Sequence, residues 1–331
     1  MRALITGAEG FVGGHLRAYL LAHTDWELLG TCRADLTPPE AQSSRMRWAR
    51  IDLRDPRQVG ELVESFTPDV IFHLAAQSFV PTSFADPWET LENNIRAQLN
   101  VLEAVRRLPH PARVVVIGSN EEYGRPAPEE LPLTEESPLR PANPYAVSKI
   151  AQDFMGLQYH LAYGLEVVRL RPFNHTGPGQ SPRFVVPAFA SQIARIEAGL
   201  QEPVVRVGNL DVSRDFTDVR DIVRAYHIAA LRGEPGEVYN LASGEPRSIR
   251  GLLETLLSFS QVEIRVEIDP ARFRPVDVPV VYGSAEKFRR RTGWQPEIPF
   301  EQTLRDVLVY WRERVRGEAG GQHHTEVRSH A

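Results

Sequence analysis

A glycine-rich turn between a predicted strand and a predicted helix constrains the fold more than any other feature of this chain. Residues 3–6 form an apolar run typical of a buried strand, and Gly7-Ala8-Glu9-Gly10-Phe11-Val12-Gly13 follows directly. Glycine permits the tight turn and lets backbone N–H groups approach a pyrophosphate at the start of the helix. Such turns occur in many α/β proteins, but a second strand predicted at residues 26–32 completes a βαβ unit and favours dinucleotide binding. The predicted contacts with the dinucleotide are Gly7, Gly10, Phe11, Val12 and Gly13.

The end of the second predicted strand bears on the choice of dinucleotide. An acidic residue at this place would bond the 2′-hydroxyl of the NAD ribose, whereas an arginine would accept the 2′-phosphate of NADP. Arg33 comes first and Asp35 follows. The order favours NADP(H) over NAD(H), which stays open as the alternative; the other interpretation of Arg33 is an incidental surface residue of an arginine-rich chain.

Strands and helices continue to alternate through the first half of the chain. A third strand is predicted to end at residues 51–53, and two more are predicted to span 70–74 and 113–117, with helices at 57–66 and 87–107 between them. This order predicts an α/β fold of the Rossmann type, a doubly wound parallel sheet whose ligands lie beyond the C-terminal strand ends. Candidate cofactor contacts at that edge are Asp52, Leu53, Leu74, Ala75 and Ala76. Gln77 and Ser78 follow them as candidate substrate contacts.

A tyrosine and a lysine share one face of the helix predicted at residues 144–163. Asn143 can cap this helix and Pro144 suits its first turn, so Tyr145 and Lys149 lie four residues apart on one side. An ammonium group beside a phenol is expected to lower the phenol pKa, which would suit proton transfer. An incidental surface pair is the alternative, but lysine is rare here: of 38 Lys and Arg residues, only Lys149 and Lys287 are lysines. Ser119, after the strand at 113–117, is the predicted partner of Tyr145.

Composition argues against several other classes of protein. The net charge of −5 gives no basic field for nucleic acid, and no apolar run reaches the length of about 20 residues that a membrane helix needs. A single cysteine, Cys32, excludes an internal disulfide and a cysteine-based metal cluster. The pair His323-His324 is interpreted as part of a polar tail, so no metal site is predicted. A strand that begins almost at Met1 leaves no room for a signal peptide, and the chain is expected to be cytoplasmic.

The pattern of the chain changes at Arg171, where prolines and glycines cluster in residues 171–180. We predict an NAD(P)-binding domain at 1–170 with a returning segment at about 212–242. A smaller C-terminal α/β lobe, which binds the substrate, is predicted from two segments, 171–211 and 243–315. Residues 316–331 lack periodicity and are expected to be a disordered tail.

The order of these motifs over residues 1–315 resembles that of the extended short-chain dehydrogenase/reductase superfamily. The resemblance rests on Gly7-x-x-Gly10-x-x-Gly13, Ser119 and the pair Tyr145 and Lys149. It implies that Tyr145 donates a proton to a carbonyl oxygen that Ser119 orients, while Lys149 holds the nicotinamide ribose. It also implies a homodimer formed through helices 87–107 and 144–163.

Later motifs are similar to those of the reductases that act on GDP-4-dehydro-6-deoxy-D-mannose. They comprise residues 171–182, Gly208-Asn209-Leu210, residues 214–221 and Thr292-Gly293-Trp294-Gln295-Pro296. This resemblance implies reduction of the 4-keto group of a GDP-sugar by NAD(P)H to give GDP-D-rhamnose. The residues that it places at the substrate are Ser119, Asn174, Arg183, Arg214 and Arg274.

Glu121 is also compatible with activities other than carbonyl reduction. Related 4,6-dehydratases use a glutamate at this place to remove a proton from C5, so Glu121 is a further candidate catalytic residue. Asn120 argues against the dTDP-sugar dehydratases, which have an acidic residue there, and Phe216-Thr217 favours a reductase over a GDP-mannose dehydratase. A nucleotide-sugar 4-epimerase and a non-catalytic NADP-binding sensor are the remaining alternatives, although sensors typically lack the tyrosine and lysine.

Overall fold

The elements alternate between strands and helices along most of the chain. The computed structural model describes residues 1–33, 43–273 and 278–326, with side chains as far as residue 318. The strands are β1 Arg2–Thr6, β2 Glu27–Cys32, β3 Met46–Arg50, β4 Val70–His73, β5 Arg113–Ile117, β6 Val167–Pro172, β7 Asn174–Thr176, β8 Val204–Val207, β9 Ser213–Asp218, β10 Val238–Leu241, β11 Pro246–Ser248, β12 Arg265–Ile268 and β13 Val280–Val281. The helices are α1 Phe11–His23, α2 Pro56–Phe66, α3 Val80–Ala85, α4 Pro87–Arg106, α5 Pro144–Tyr163, α6 Val185–Glu197, α7 Val219–Arg232, α8 Ile249–Ser258, α9 Glu286–Thr292 and α10 Phe300–Glu326. Short 3-10 turns lie at Asn120–Tyr123, Pro128–Glu130 and Pro270–Arg272.

The central sheet has seven parallel strands in the order β10-β6-β5-β4-β1-β2-β3. The order reverses between β1 and β4, so the connections on the two sides of that point cover opposite faces of the sheet. Open α/β sheets bind ligands at such a switch point, beyond the carboxyl ends of the strands. The predicted α/β fold with a doubly wound parallel sheet of the Rossmann type is confirmed.

Apolar side chains on both faces of this sheet bury it between two layers of helices. One core layer joins β1 residues such as Ile5 to Leu16 of α1 and Tyr226 of α7. The other joins Leu4 and Val114 to α2, α4 and α5. A parallel sheet needs cover on both faces, which explains the near-continuous apolar runs of its strands.

Local capping signals fix where the helices on one face begin. Asp55, Asp86 and Asn143 each accept hydrogen bonds from backbone N–H groups of α2, α4 and α5, and each is followed directly by a proline. The N-terminal N–H groups of a helix lack partners within the helix, so these side chains stabilise its first turn. Helix α5 ends at Gly164, which adopts φ of +69°.

The chain divides into two compact units. The first comprises Met1–Phe173, Val219–Gly244 and Gly283–Pro296. The segment Gly283–Pro296 differs from the division predicted from the sequence, which places it in the C-terminal lobe. It contributes α9 and Trp294, whose indole N–H donates to the Asp221 carbonyl oxygen at 3.1 Å and whose ring is buried in the core with Phe288.

The second unit comprises Asn174–Asp218, Glu245–Tyr282 and Glu297–Ala331. Its strands form one sheet with the order β11-β9-β13, in which β7 also pairs with β9, and a two-stranded sheet of β12 and β8. Its core is built by α6, α8 and α10, with Phe189, Leu256 and Trp311 among the buried residues. This unit is a small α/β assembly.

The C-terminal helix extends beyond the point at which the sequence predicts a disordered tail. Helix α10 continues to Glu326, while residues 327–331 lie outside the described residues, as do the side chains of His323 and His324. Val315 is buried against the core of the second unit, and Glu318 pairs with Arg195 at 3.2 Å. These contacts anchor the helix at residue 316, where the sequence pattern alone shows no periodicity.

Among the residues that the structure describes, we find no helix with the length and apolar character required to cross a bilayer.

Candidate active site

Tyr145 and Lys149 lie on the buried side of α5, one turn apart. Both side chains are more than nine-tenths buried, and the Lys149 Nζ lies 5.8 Å from the centre of the Tyr145 ring. The Lys149 ammonium donates a hydrogen bond to the Ile117 carbonyl oxygen at 2.9 Å, at the carboxyl end of β5. The helical spacing predicted for this pair is therefore present, and it faces the sheet edge rather than solvent.

Ser119 lies beside the Tyr145 hydroxyl, with which its side chain shares a hydrogen bond. Ser119 follows β5 and caps the 3-10 turn Asn120–Tyr123, where its Oγ accepts the backbone N–H of Glu121 at 3.2 Å. Ser119, Tyr145 and Lys149, predicted from two separate stretches of the chain, thus lie together. A serine hydroxyl and a phenol so arranged can both bond one carbonyl oxygen.

Burial, rather than the lysine, sets the protonation of the phenol. The sequence predicts a lowered pKa for Tyr145, but burial raises the pKa of Tyr145, and the hydrogen bond from Ser119 offsets only part of that effect. The negative charges of Glu121 and Glu122 raise it further. The sequence expectation is wrong for the protein alone, and Tyr145 is a neutral phenol that holds a proton to donate.

Lys149 responds to the same burial in the opposite sense. Desolvation lowers its pKa to about 8, and the charge of Glu122 opposes that shift. Its charge is thus close to titration at neutral pH, which a solvated lysine is not.

Glu121 lies in the 3-10 turn that Ser119 caps, and its negative charge acts on Tyr145. Its Oε2 accepts a hydrogen bond from the Asn143 side chain at 2.9 Å, while the Asn143 Oδ1 accepts the backbone N–H of Ala146 at 2.8 Å. Asn143 therefore ties the carboxylate of Glu121 to the first turn of α5. The position fits a group that reaches the same bound molecule as Tyr145.

The glycine turn after β1 forms a cradle that side chains would fill. Gly7 adopts φ of +66°, and a Cβ on it would lie 3.0 Å from the Ala75 Cα across the switch point. A Cβ on Gly13 would lie 2.3 Å from the Gly7 carbonyl oxygen. Gly10 stands at the start of α1, which has no side-chain cap, with Phe11 and Val12 in its first turn. A bare helix N-terminus in a glycine cradle fits a dinucleotide pyrophosphate.

The other predicted cofactor residues lie around the carboxyl edge of the sheet. Arg33 is exposed directly after β2, and Asp35 falls outside the described residues. Asp52 forms an ion pair with Arg54 at 2.8 Å, and this contact lowers the pKa of Asp52. Leu53 offers its carbonyl oxygen to Asn100 at 2.9 Å. Leu74, Ala75 and Ala76 follow β4, and the Ala75 N–H donates to Thr6 Oγ1 at 3.1 Å.

Gln77 has a positioning role that the sequence did not suggest. Its backbone N–H donates to Asn94 Oδ1 at 2.7 Å, and its side-chain amide donates to Thr90 Oγ1 at 3.0 Å. Asn94 in turn donates to Ser148 Oγ at 2.9 Å, which links α4 to α5. Gln77 therefore ties the loop after β4 to both helices, while the next residue, Ser78, is exposed.

Two of the predicted nucleotide contacts lie close together in the second unit. Asn174 in β7 pairs with Phe216 in β9, two residues from Arg214 on the same strand. Arg214 Nη1 donates to the Val278 carbonyl oxygen at 2.7 Å. Arg183 is exposed just before α6, and Arg274 lies outside the described residues.

Two buried residues of this site were missed in the sequence. His73 ends β4, shares a 3.0 Å hydrogen bond with Thr6 Oγ1, and has its pKa lowered to about 3 by burial and by Lys149. Glu122 is fully buried beneath Ser119. The signal for His73 was its place at the end of an apolar strand, directly before Leu-Ala-Ala. No local signal distinguished Glu122 from its exposed neighbours in an acidic stretch.

Comparisons with known proteins agree with this geometry. Residues 4–307 match the family described as GDP-mannose 4,6 dehydratase. The chain is 42% identical to the GDP-6-deoxy-D-mannose reductase of Pseudomonas aeruginosa over 96% of its own length and 99% of that protein. It is 30% identical to GDP-mannose 4,6 dehydratase 2 of Arabidopsis thaliana, over 96% of this chain and 90% of that one.

A solved structure gives the same result for the fold. The structure of RMD from Pseudomonas aeruginosa complexed with NADPH superposes with a TM-score of 0.84 at 41% identity, covering 95% of this chain and 99% of the other. The resemblance predicted from Gly7, Ser119, Tyr145 and Lys149 is thereby confirmed. The chain belongs to the GDP-mannose 4,6-dehydratase family of extended short-chain dehydrogenases/reductases.

Proposed function

We propose that this protein is an NADPH-dependent reductase of the 4-keto group of GDP-4-dehydro-6-deoxy-D-mannose, with GDP-D-rhamnose as the product. The observation that carries the proposal is the 42% identity, over nearly both full lengths, to a GDP-6-deoxy-D-mannose reductase. Seven GDP-mannose 4,6-dehydratases are less similar to this chain, with identities of 27–32%. The placement of Ser119, Tyr145 and Lys149 supports the same chemistry.

Tyr145, Ser119 and Lys149 each have a separate role in the proposed carbonyl reduction. Tyr145, neutral because it is buried, gives its phenolic proton to the C4 oxygen. Ser119, already bonded to that phenol, orients the carbonyl. Lys149 places a positive charge beneath the phenol and stabilises the negative charge that develops as the proton leaves. NADPH, when bound, supplies the hydride.

The glycine cradle of Gly7, Gly10 and Gly13 would hold the pyrophosphate of the cofactor, with Phe11 and Val12 at the helix start. Asp52 and Leu53 would border the adenine, and Leu74 to Ala76 would line the path along the strand ends. NADPH is favoured because the Pseudomonas aeruginosa structure is complexed with it and because exposed Arg33 is suited to a 2′-phosphate. NAD(H) remains the alternative cofactor. Arg33→Ala should raise the KM for NADPH more than the KM for NADH, and an equal rise would contradict the preference.

The second unit would supply the contacts to the nucleotide diphosphate. Asn174 and Arg214 lie on adjacent strands, and guanidinium groups bind phosphate oxygens in a bidentate manner. Arg183, Arg274, Gln77 and Ser78 are further proposed substrate contacts.

Dehydration of GDP-mannose is the second candidate, and Glu121 is the observation that favours it. The carboxylate lies beside Tyr145, where a base could remove the C5 proton of a bound 4-keto sugar. In a reductase the same carboxylate would bond a sugar hydroxyl. A 4-epimerase would also use the tyrosine and lysine, whereas a non-catalytic sensor would need neither.

One assay separates these activities. The protein is incubated with NADPH and enzymatically prepared GDP-4-keto-6-deoxymannose, and loss of the nicotinamide absorbance is followed together with the sugar product. Stoichiometric oxidation of NADPH with formation of GDP-rhamnose supports the proposal. Water elimination from GDP-mannose without net use of cofactor would make the protein a dehydratase, and cofactor binding without turnover would make it a sensor.

The exposed face of α4 and α5 supports a homodimer. Val147, Phe154 and Leu161 lie seven residues apart along α5, and Leu161 is 74% exposed. On α4, Trp88 is 71% exposed and Leu99 is also exposed. Apolar side chains at this spacing suit a helical interface with a second copy of the same chain. Because the reaction draws on NADPH and a nucleotide sugar, we place the protein in the cytoplasm.

A further inference from the structure

Glu122 is a fully buried acid directly beneath Ser119. Its Oε1 accepts the backbone N–H of Ser119 at 2.8 Å. The site is built around this contact, since a Cβ on Gly118 would lie 2.3 Å from the same oxygen. Glu122 therefore fixes the backbone of the residue that bonds the Tyr145 hydroxyl.

The other carboxyl oxygen, Oε2, lies in a buried cluster of charged side chains. The arginine nitrogen beside it in this cluster already forms a hydrogen bond with another acceptor. Oε2 is 3.0 Å from Arg171 Nε, but the single hydrogen of that nitrogen goes to Asp153 Oδ2 at 2.6 Å. Asp153 also binds Arg169 through its other oxygen. No described residue donates a hydrogen bond to Glu122 Oε2. A buried carboxylate oxygen that no group donates to is costly, whereas a protonated carboxyl group can donate to Asp153.

The groups that face Glu122 favour the protonated form near neutral pH. Burial and the negative charge of Asp153 raise the pKa of Glu122, and Arg171 opposes this only in part. Titratable and charged groups face it from two neighbouring elements: Tyr145, Lys149 and Asp153 from α5, and Arg171 from β6. Glu122 and Lys149 also contact the same short backbone segment, because Lys149 Nζ donates to the Ile117 carbonyl oxygen at 2.9 Å and Glu122 Oε1 accepts the Ser119 N–H at 2.8 Å. Ionisation of Glu122 therefore acts on both the proton donor and the lysine.

We propose that Glu122 is a positioning residue of this active site: its carboxyl fixes the Ser119 backbone and, when it ionises, holds Lys149 in the ammonium form. The proposal rests on the function proposed above for Ser119, Tyr145 and Lys149. Without Glu122, burial alone would remove the proton of Lys149 at lower pH. When Glu122 is present, it loses its proton first, and the resulting carboxylate keeps Lys149 in the ammonium form.

The scarcity of lysine makes the effect directly measurable. Lys149 and Lys287 are the two lysines of the chain, so protein labelled with ¹³C-lysine gives two side-chain signals in an NMR titration. Lys287 lies on α9 and pairs with Glu237 at 2.7 Å, so it serves as the internal reference. Glu122→Gln retains an oxygen to accept the Ser119 N–H but cannot ionise. Glu129→Gln, at an exposed position, is the matched control.

In Glu122→Gln we expect the Lys149 midpoint to fall by about one pH unit, the lower end of what a close opposite charge does to a pKa. The Lys287 curve and the Glu129→Gln variant should match the wild type. The basic limb of the kcat profile should move to lower pH by the same amount, which a residue needed only for folding would not cause. A Lys149 midpoint and a kcat profile that superpose on the wild type would overturn the proposal.

The wild-type titration gives a second test that needs no variant. If Glu122 ionises beside Lys149, the Lys149 signal should show a second, smaller inflection, and a single inflection contradicts the proposal. The NMR midpoint also separates two kinds of failure. A wild type that does not reduce the sugar removes the proposed function, whereas an unmoved Lys149 midpoint in an active enzyme removes only the role of Glu122.

Discussion

At the scale of single residues, Tyr145 carries the proton that the proposed reaction requires. Its phenol is buried, its pKa is raised, and Ser119, which follows β5, forms a hydrogen bond with it. In Tyr145→Phe we expect kcat to fall by about 10²–10⁴-fold, the usual contribution of a positioned acid. NADPH binding, followed by fluorescence, should change little because the ring remains.

Tyr163, at the other end of α5, provides the matched control for this variant. Its side chain is exposed and contacts Tyr159, whose ring is tilted by 57° relative to it, and the Arg106 guanidinium. Tyr163→Phe should leave kcat unchanged. A Tyr145→Phe enzyme that turns over at the wild-type rate would show that another group donates the proton.

Lys149 makes the activity depend on pH. Its pKa is lowered to about 8 by burial, so its ammonium is present below that pH and is lost as the pH rises through it. We expect kcat with NADPH and the 4-keto sugar to decline above about pH 8, as the charge that stabilises the developing phenolate disappears.

Lys149→Arg tests this assignment, because a guanidinium stays charged throughout the working range. The variant should be slower than the wild type, since the larger group cannot reproduce the 2.9 Å bond to the Ile117 carbonyl oxygen. Its profile should nevertheless lack the decline above pH 8. If the decline persists in Lys149→Arg, some other group titrates there.

At the scale of elements, the turn between β1 and α1 tests the cofactor cradle. In Gly13→Ala the new methyl group would lie 2.3 Å from the Gly7 carbonyl oxygen and 2.7 Å from the Ala8 Cα, both backbone atoms. The turn must therefore shift, and we expect NADPH to bind at least about tenfold more weakly, or about 1.4 kcal/mol, with a lower Tm. Fluorescence titration and thermal unfolding measure the two effects.

The neighbouring glycine supplies the control for that variant. A Cβ on Gly14 meets no atom within 4 Å, and the residue lies inside α1. Gly14→Ala should keep NADPH affinity and raise the free energy of unfolding by up to about 1 kcal/mol, because alanine favours helix. Equal loss of affinity in both variants would indicate a general effect on α1 rather than on the cradle.

Element boundaries were predictable where the signal is local. Helix α5 has the predicted bounds because Asn143-Pro144 starts it and Gly164 ends it. Strand β3 ends at Arg50, before the predicted Asp52 and Leu53, because pairing with β2 stops there. The raised pKa of Tyr145 could not be predicted, since spacing reveals a neighbouring lysine but not the burial that outweighs it.

At the scale of the whole molecule, the sequence pattern does not show to which of the two units each segment belongs. The doubly wound parallel sheet follows from the alternation of strands and helices, and the sequence predicts it. The return of Gly283–Pro296 to the first unit depends on burial of Phe288 and Trp294 in its core. That contact joins residues distant in sequence, and no local pattern in the segment indicates it.

The face formed by Val147, Phe154 and Leu161 on α5, with Trp88 and Leu99 on α4, leads to the prediction for the assembly. If two copies pair through it, a charge placed there must be buried in the dimer without a partner, which is strongly unfavourable. Phe154→Glu and Leu161→Glu should therefore convert a dimer to a monomer.

Sedimentation equilibrium or light scattering measures the mass directly against the monomer value of 37.3 kDa. Gln302→Glu, at an exposed polar position in the first turn of α10, adds the same charge on a helix that does not belong to the apolar stripe and should leave the dimer intact. Tyr145 and Lys149 lie on the buried side of α5, so the monomeric variants should retain NADPH binding. A wild type that sediments as a monomer, or variants that stay dimeric, would place the interface elsewhere and leave the apolar stripe without a second copy to cover it.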